Sequence, residues 1–283
     1  MPTRPELPPT RTLVSLYTPV AQRTAFAALC AIEGEIAASL DAQLDHEVAH
    51  ARLAWWREEC ARAAQGRATH PLTQALAASF ESFGLGAPGE ISGFVDTATW
   101  DLAAATFETR AQLDAYCARW ADAMITPLVQ LAAAADTAVT LASARKLGAA
   151  LCEIDLLANL AGDAARGRVR VSLADLAAAQ ATPEQLAHPP WPAPLAAVLR
   201  TRQQQLRAQL ASAVGELPRP AQPALRGLLV WARLAAAHSQ RGERALPAAP
   251  GPRDHPTRDP HRPQDSWWAW SAARRASAGR FAL

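Results

Sequence analysis

Apolar residues recur every three to four positions along most of this chain, which is the spacing of an α-helix with one buried face. Leu29, Ile32 and Ile36 show this spacing, and so does the segment from Leu113 to Met124. The alternation of apolar and polar residues that marks a half-buried strand never persists. The pattern therefore predicts an all-α fold of about nine helices, forming one domain over residues 13–240.

Both ends of the chain depart from this pattern. Residues 1–12 are polar and rich in proline, so we expect a flexible N-terminus, and the composition of residues 241–265 predicts a disordered linker. Residues 266–283 predict a short amphipathic C-terminal helix rich in tryptophan and arginine. This tail suits either a membrane interface or a position against its own domain, and we favour the second.

One helical segment carries a stripe of polar residues through otherwise apolar sequence. Asp155, Asn159 and Asp163 lie four residues apart, which places them along one side of a helix. A carboxylate inside a protein needs a partner or a cation. The stripe predicts either a polar cavity within a helical bundle or the solvent-exposed side of a half-buried helix. Three arginines are expected at the mouth of that cavity: Arg166, Arg168 and Arg170.

Composition narrows the classes of function. The chain has 283 residues, is 50% hydrophobic and has a net charge of +2, so nothing favours nucleic acid as a partner. No apolar run reaches the length of a membrane-spanning helix, and the N-terminus is unlike a secretory signal. The four cysteines lack metal-site spacing, which favours a reduced, cytoplasmic protein. The alanine and arginine content is typical of a GC-rich bacterial genome.

A short motif, HEVAH at residues 46–50, matches the zinc signature H-E-x-x-H. On a helix, His46 and His50 would share a face and Glu47 would stand as a general base. The glycine and third histidine of the extended form are absent from the following ARLAWWREE. A zinc metallopeptidase is therefore kept only as a minor alternative to two polar histidines on an exposed helix.

Three segments together resemble the squalene/phytoene synthase family, the head-to-head prenyl synthases, and a fourth adds a weaker match. AFAALCAIEGEIAASLD (25–41) is similar to the helix with the first aspartate-rich motif. ARLAWWREECARAAQGRATHPLTQAL (51–76) resembles the family's R-L-x-W-W-R helix and H-P turn. LLANLAGDAARGRVRVSLADL (156–176) resembles the second aspartate-rich helix and its arginine-rich exit, and FETRAQLDAYCARWA (107–121) adds a weaker match to the central helix.

The resemblance implies an isoprenoid-synthase-type helical bundle with a central cavity. In that family, two acidic helices hold Mg²⁺, which binds the diphosphates of two prenyl donors. Carried onto this sequence, Asp41 and Asp163 become the candidate catalytic residues. The candidate metal ligands are Asp41, Asp45, Asp155 and Asp163, and the candidate substrate-binding residues are Tyr17, Arg52, Asn159, Arg166 and Arg168.

The match to the family is incomplete at positions where binding of Mg²⁺ would require negatively charged side chains. Ala37 and Ala38 stand at positions where the family usually has aspartates, and Asn159 replaces another. Asp45 would lie one turn beyond Asp41 if the helix continued. Asp41 and Asp163 fit either cavity ligands or solvated helix ends, and the arginines fit either phosphate binding or neutralisation of a helix end.

These losses predict a pseudoenzyme: a non-catalytic or weakly active protein that binds an isoprenoid or acts as an assembly partner. The family contains such members, including assembly factors for respiratory complex I. The alternative is an active, Mg²⁺-dependent transferase that condenses two prenyl diphosphates head-to-head. We expect a cytoplasmic location, with peripheral contact at the inner membrane face as the alternative.

Overall fold

A computed structural model describes residues 7–41, 43–88, 91–132, 137–246 and 262–283. These residues form helices, turns and loops without a strand among them, which confirms the all-α prediction. The described part contains thirteen α-helices rather than about nine, because several short helices follow residue 158. The α-helices are α1 Pro9–Tyr17, α2 Arg23–Ala37, α3 His46–Ala64, α4 Pro71–Ser82, α5 Gly93–Leu102, α6 Arg110–Leu131, α7 Thr137–Ala158, α8 Leu160–Ala165, α9 Leu173–Ala178, α10 Pro183–Leu186, α11 Ala193–Glu216, α12 Arg226–Ala245 and α13 Pro263–Ser277.

The turn between α3 and α4 is built around one buried carboxylate. Glu59 has no solvent exposure and accepts hydrogen bonds from the backbone N–H groups of Thr69 and His70, both at 2.8 Å. The hydroxyl of Thr73 and the guanidinium of Arg62 also bind it. Burial raises the pKa of Glu59, but these hydrogen bonds lower it more, to about 2. The carboxylate therefore fixes the start of α4 as an ionised group.

The centre of the bundle is formed by long helices packed side by side. α6 lies along α7, α7 contacts α11, and α12 contacts α1, α7 and α11. α6 and α7 approach closely at Gly148, where a Cβ atom would come within 2.9 Å of the Cβ of Ala121. The apolar spacing of these helices thus encloses a single large core that includes Phe26, Met124 and Trp231.

The C-terminal helix packs on its own domain. α13 lies on α12, and the Asp265 carboxylate accepts hydrogen bonds from Arg241 at 2.9 and 3.2 Å. At the far end, the Gln222 amide binds the backbone of Phe281. This is the docked arrangement that the amphipathic pattern favoured.

Most of the predicted linker, residues 247–261, lies outside the described residues, as do residues 1–6. α12 continues to Ala245, and α13 begins at Pro263. No helix in the described ranges has the length and apolar content needed to cross a bilayer.

Candidate functional site

A cleft of about 390 Å³ opens between the end of α2, the end of α5 and the loop that follows α8. We call it the arginine cleft, because two arginines line it together with three apolar residues. It is lined by Ala37, Ala38, Leu40, Asp41, Asp101, Arg168 and Arg170. The structure thus brings together the three positions matched to the first acidic motif and two arginines from the segment matched to the exit of the second. Of the predicted site residues, Asp41 and Arg168 lie on its surface.

Asp163 lies behind these arginines and is surrounded by positive charge. Its Oδ2 accepts from Nε of Arg170 at 3.2 Å, and its Oδ1 accepts from Arg168 at 3.4 Å. Arg166 adds a third guanidinium at 3.8 Å. The carboxylate is buried, and its charge is balanced by side chains of the same loop. Asp163 is therefore a member of an ion-pair cluster.

Arg170 is the centre of this cluster. It is 5% exposed, so it does not stand at the mouth of the cavity as predicted. Its guanidinium donates to both oxygens of Asp101, at 2.5 and 2.8 Å, while Tyr116 donates its hydroxyl to the same carboxylate at 3.1 Å. Burial lowers the pKa of Arg170, but Asp101, Tyr116 and Asp163 raise it above its usual value, so the guanidinium stays charged.

The phenol in this cluster stays neutral. Burial raises the pKa of Tyr116 well above its ordinary value, and the neighbouring carboxylate of Asp101 raises it further against the opposing charge of Arg170. Tyr116 therefore acts as a hydrogen-bond donor. Asp101 escaped the sequence analysis because no local motif surrounds it, and only its contact with Arg170 reveals its role.

The first acidic segment differs from the prediction in its geometry. α2 ends at Ala37, and a 3₁₀ turn follows from Ala38 to Leu40, so Asp41 lies in extended backbone. Asp41 is exposed, and its carboxylate accepts from the N–H of Gln43 at 2.9 Å. Asp45 is not one turn further along the same helix, because it caps α3 by accepting from Glu47 N–H at 2.8 Å. Its carboxylate is therefore used locally.

The polar stripe is also interrupted. α7 ends at Ala158 and α8 begins at Leu160, so Asp155, Asn159 and Asp163 do not share one continuous helix. Asp155 and Asn159 are exposed while Asp163 is buried. The Asn159 side-chain amide donates to the backbone carbonyl of Asp155 at 3.1 Å. The break at Asn159 turns Asp163 away from the other two residues and towards the arginines.

The remaining predicted residues lie outside the lining of the cleft. Arg52 is 4.0 Å from Glu35 in a half-exposed pair. Tyr17 ends α1, and its backbone carbonyl accepts from Arg226 at 2.8 Å. Arg166 is exposed and donates to the Gly162 carbonyl at 3.2 Å, a contact that ties it to its own helix end.

A second polar centre, missed by the sequence analysis, lies one turn before Ala37 on α2. Glu33 accepts from Arg11 at 3.1 Å and from the indole N–H of Trp120 at 2.7 Å. The guanidinium of Arg11 is 5.2 Å from the ring centre of Trp231. Burial lowers the pKa of Arg11, but Glu33 raises it above its usual value, so the guanidinium stays charged. Ion pairing and large indole rings therefore occupy this part of the bundle interior.

Comparison with known proteins identifies the relatives of this fold. A sequence model described as squalene/phytoene synthase matches residues 9–256. This chain belongs to the squalene/phytoene synthase family. Among curated proteins, no relative matches it.

Two solved structures agree with the family assignment. A dehydrosqualene synthase crystallised in complex with a ligand matches with a TM-score of 0.68 and 15% identity, over 95% of this chain and 90% of that one. The squalene synthase HpnC from Alicyclobacillus acidocaldarius matches with a TM-score of 0.62 and 21% identity, over 82% of this chain and 87% of that one. At these identities, the likeness establishes the fold alone.

Members of the family are typically Mg²⁺-dependent, and the residues here do not fit a magnesium cluster. Mg²⁺ needs oxygen ligands whose charge is available to it. Asp101 and Asp163 instead neutralise Arg170, and Ala37 and Ala38 offer no ligand. Within the described ranges, no three histidine, cysteine, aspartate or glutamate side chains are grouped for a metal ion. The geometry supports binding of an anion or a polar head group more readily than binding of several cations.

The HEVAH motif gains no third ligand. His46 and His50 are exposed at the start of α3, with their Nε2 atoms 3.0 Å apart. Since no third donor joins them among the residues that the structure covers, the tetrahedral site of a zinc metallopeptidase is not formed there.

Proposed function

We propose that this protein is a non-catalytic or weakly active member of the squalene/phytoene synthase family, which binds an isoprenoid or serves as an assembly partner. One observation carries the proposal. The retained carboxylate of the second acidic motif, Asp163, is ion-paired with Arg168 and Arg170, while Ala37 and Ala38 line the cleft where the family usually has aspartates.

The charge of the cleft supports the proposal that catalysis is weak or lost. Ionisation of a prenyl diphosphate leaves a highly charged diphosphate, which several divalent ions must stabilise. To recruit Asp163 for this task, an ion would have to separate it from a buried guanidinium. Breaking a buried pair typically costs about 3–5 kcal/mol. Asp41 alone is left exposed on the cleft, and one carboxylate supports no cluster.

The same cleft retains features that suit a ligand. The Nε of Arg168 is buried and has no hydrogen-bond partner among the described residues. An unsatisfied buried donor typically costs about 1–3 kcal/mol. Arg168 also lines the cleft, where its guanidinium suits an anionic or polar head group. Ala37, Ala38 and Leu40 supply an apolar wall beside it. A volume of about 390 Å³ also falls in the range of small-molecule sites.

The test measures turnover and binding separately. Purified protein is incubated with farnesyl or geranylgeranyl diphosphate and Mg²⁺, and pyrophosphate release is compared with that of the Asp163→Ala variant. We expect no turnover that depends on Asp163. Binding of the same diphosphates is then followed calorimetrically with EDTA and with Mg²⁺. We expect binding that survives EDTA and weakens in the Arg168→Gln variant.

The second candidate is an active, Mg²⁺-dependent transferase that joins two prenyl diphosphates head-to-head. The observation that favours it is the exposed Asp41 on the cleft opposite Arg168, with Asp101 and Asp163 nearby. This candidate requires those ion pairs to open when substrate arrives. Pyrophosphate release in the assay above that is abolished by Asp163→Ala would establish it and overturn the first proposal.

A further inference from the structure

The outer face of α13 exposes two large aromatic side chains. Trp267 is 61% exposed and Trp270 is 48% exposed. They lie three residues apart and therefore on the same side of the helix. The opposite side is made of small residues that pack inward, including Ala269, Ala272 and Ala276. Docking of α13 on its domain thus leaves its tryptophans turned outwards.

Two exposed arginines follow these rings on α13, and neither is paired with a described carboxylate. Arg274 lies 5.6 Å from the ring centre of Trp270, and Arg275, the next residue of α13, is also exposed. Neither forms an ion pair with a carboxylate in the part of the chain that the structure describes. The same holds for Arg233 of α12, whose pKa is lowered by burial and by the charge of Arg275.

The acid of α13 cannot offset this charge. Asp265 is 1% exposed, and its carboxylate is already bound to Arg241. The outer face of the helix therefore combines a pair of exposed indoles with uncompensated positive charge. We call this surface, formed by Trp267, Trp270, Arg274 and Arg275, the tryptophan–arginine face.

This combination has the chemistry of a bilayer interface. Indole rings are amphipathic and favour the headgroup level of a membrane, and guanidinium groups bind phosphate oxygens. Arginines near an anionic leaflet each add a favourable electrostatic contribution. A second copy of the chain fits less well, since a two-fold contact through this face would bring like charges together.

We propose that the tryptophan–arginine face docks this protein onto the headgroup region of an anionic lipid bilayer. The inference does not depend on whether the arginine cleft is catalytic. It assigns to α13 a second surface, opposite to the one that packs on α12.

The experiment uses the full chain and sedimentation with lipid vesicles. One set contains phosphatidylglycerol mixed with phosphatidylcholine, and the other contains phosphatidylcholine alone. We expect binding to the anionic vesicles that weakens as salt is added. The Trp267→Ser/Trp270→Ser double variant should bind about tenfold less or weaker still, because buried indole area is lost. Arg274→Gln and Arg275→Gln should each cost roughly fivefold on anionic vesicles.

A matched control distinguishes binding through this face from non-specific binding through any exposed tryptophan. Trp55 is 42% exposed on α3, and Trp55→Ser should leave vesicle binding unchanged. Quenching of the unmodified protein's tryptophan fluorescence by brominated phosphatidylglycerol gives a readout that needs no variant. Failure of the unmodified protein to bind anionic vesicles would overturn the proposal, as would equal binding by the double variant. A dimer in sedimentation velocity that the double variant loses, without vesicle binding, would assign the face to self-association instead.

Discussion

Arg170 and Arg274 both belong to short arginine-rich stretches, yet they meet opposite surroundings. Arg170 is buried and held between Asp101 and Asp163, and its hydrogen bonds to these two carboxylates are 2.5 to 3.2 Å long. Arg274 is exposed, and its described neighbour is the ring of Trp270. The first arginine therefore stabilises the fold and neutralises Asp163, a candidate metal ligand, whereas the second leaves its charge available to a partner.

The difference arises from residues far away in sequence. Asp101 lies on α5, and 69 positions separate it from Arg170. No acid approaches Arg274 or Arg275 among the described residues. The role of an arginine-rich stretch thus depends on which carboxylates the fold places next to it. We therefore expect mutations in these two regions to have different effects on stability and binding.

The largest effect is expected from removing the main partner of Arg170. Asp101→Ala leaves the guanidinium buried with Asp163 as its remaining carboxylate, and breaking a buried pair in this way typically costs about 3–5 kcal/mol. The free energy of unfolding, measured by urea denaturation, should fall by that amount.

Asp96→Ala is the control, since Asp96 lies on the same helix but pairs with Arg57 at the surface. Its loss should cost at most about 1 kcal/mol. Equal losses from Asp96→Ala and Asp101→Ala would mean that burial does not distinguish the two ion pairs.

The buried carboxylate of Glu59 should make the stability of the protein depend on pH. Its pKa of about 2 lies below the value near 4.3 of an unfolded chain, so its contribution is present above that value and is lost as pH falls towards 2. The difference corresponds to about 3 kcal/mol. Glu59→Gln should lower the free energy of unfolding by about that amount at neutral pH.

The gap between the unmodified protein and Glu59→Gln should then close as the pH is lowered from about 5 towards 2. Thermal unfolding at a series of pH values measures this. A gap that stays constant across the series would show that Glu59 is not held ionised by the turn.

The fold was predictable because the helical signal is distributed over the whole chain. Spacing such as that of Leu29, Ile32 and Ile36 needs no knowledge of distant contacts, and all three are buried as expected. The family followed from the order of three segments and a weaker fourth, and the family match confirmed it.

The site was harder to predict because its geometry depends on where helices end and on ion pairs between residues far apart in the sequence. The sequence identified Asp163 and Arg168, but the end of α7 at Ala158 disrupted the expected stripe. Asp101 and Glu33 have no local motif, and they act through contacts with Arg170 and Arg11. Buried ion pairs between distant segments cannot be read from local spacing.

A smaller effect is expected at the edge of the Arg170 cluster. Tyr116→Phe removes the hydroxyl that donates to Asp101 at 3.1 Å but leaves the ring in place. Because Asp101 keeps both bonds from Arg170, the variant should lose about 1.5 kcal/mol, the lower range for a hydrogen bond to a charged group. Urea denaturation tests this, and a loss as large as that of Asp101→Ala would place the phenol, rather than the guanidinium, at the centre of the cluster.

The smallest effect is expected on α13. The double variant Arg274→Gln/Arg275→Gln removes two charges that have no carboxylate partner among the described residues, so the free energy of unfolding should change by less than about 0.5 kcal/mol. The same variant should nevertheless weaken binding to anionic vesicles. Stability and binding would then respond oppositely in the two arginine groups: loss of an Arg170 partner destabilises the fold, while loss of Arg274 and Arg275 affects only the surface. A destabilisation above about 1 kcal/mol would contradict this, because it would make these arginines structural like Arg170.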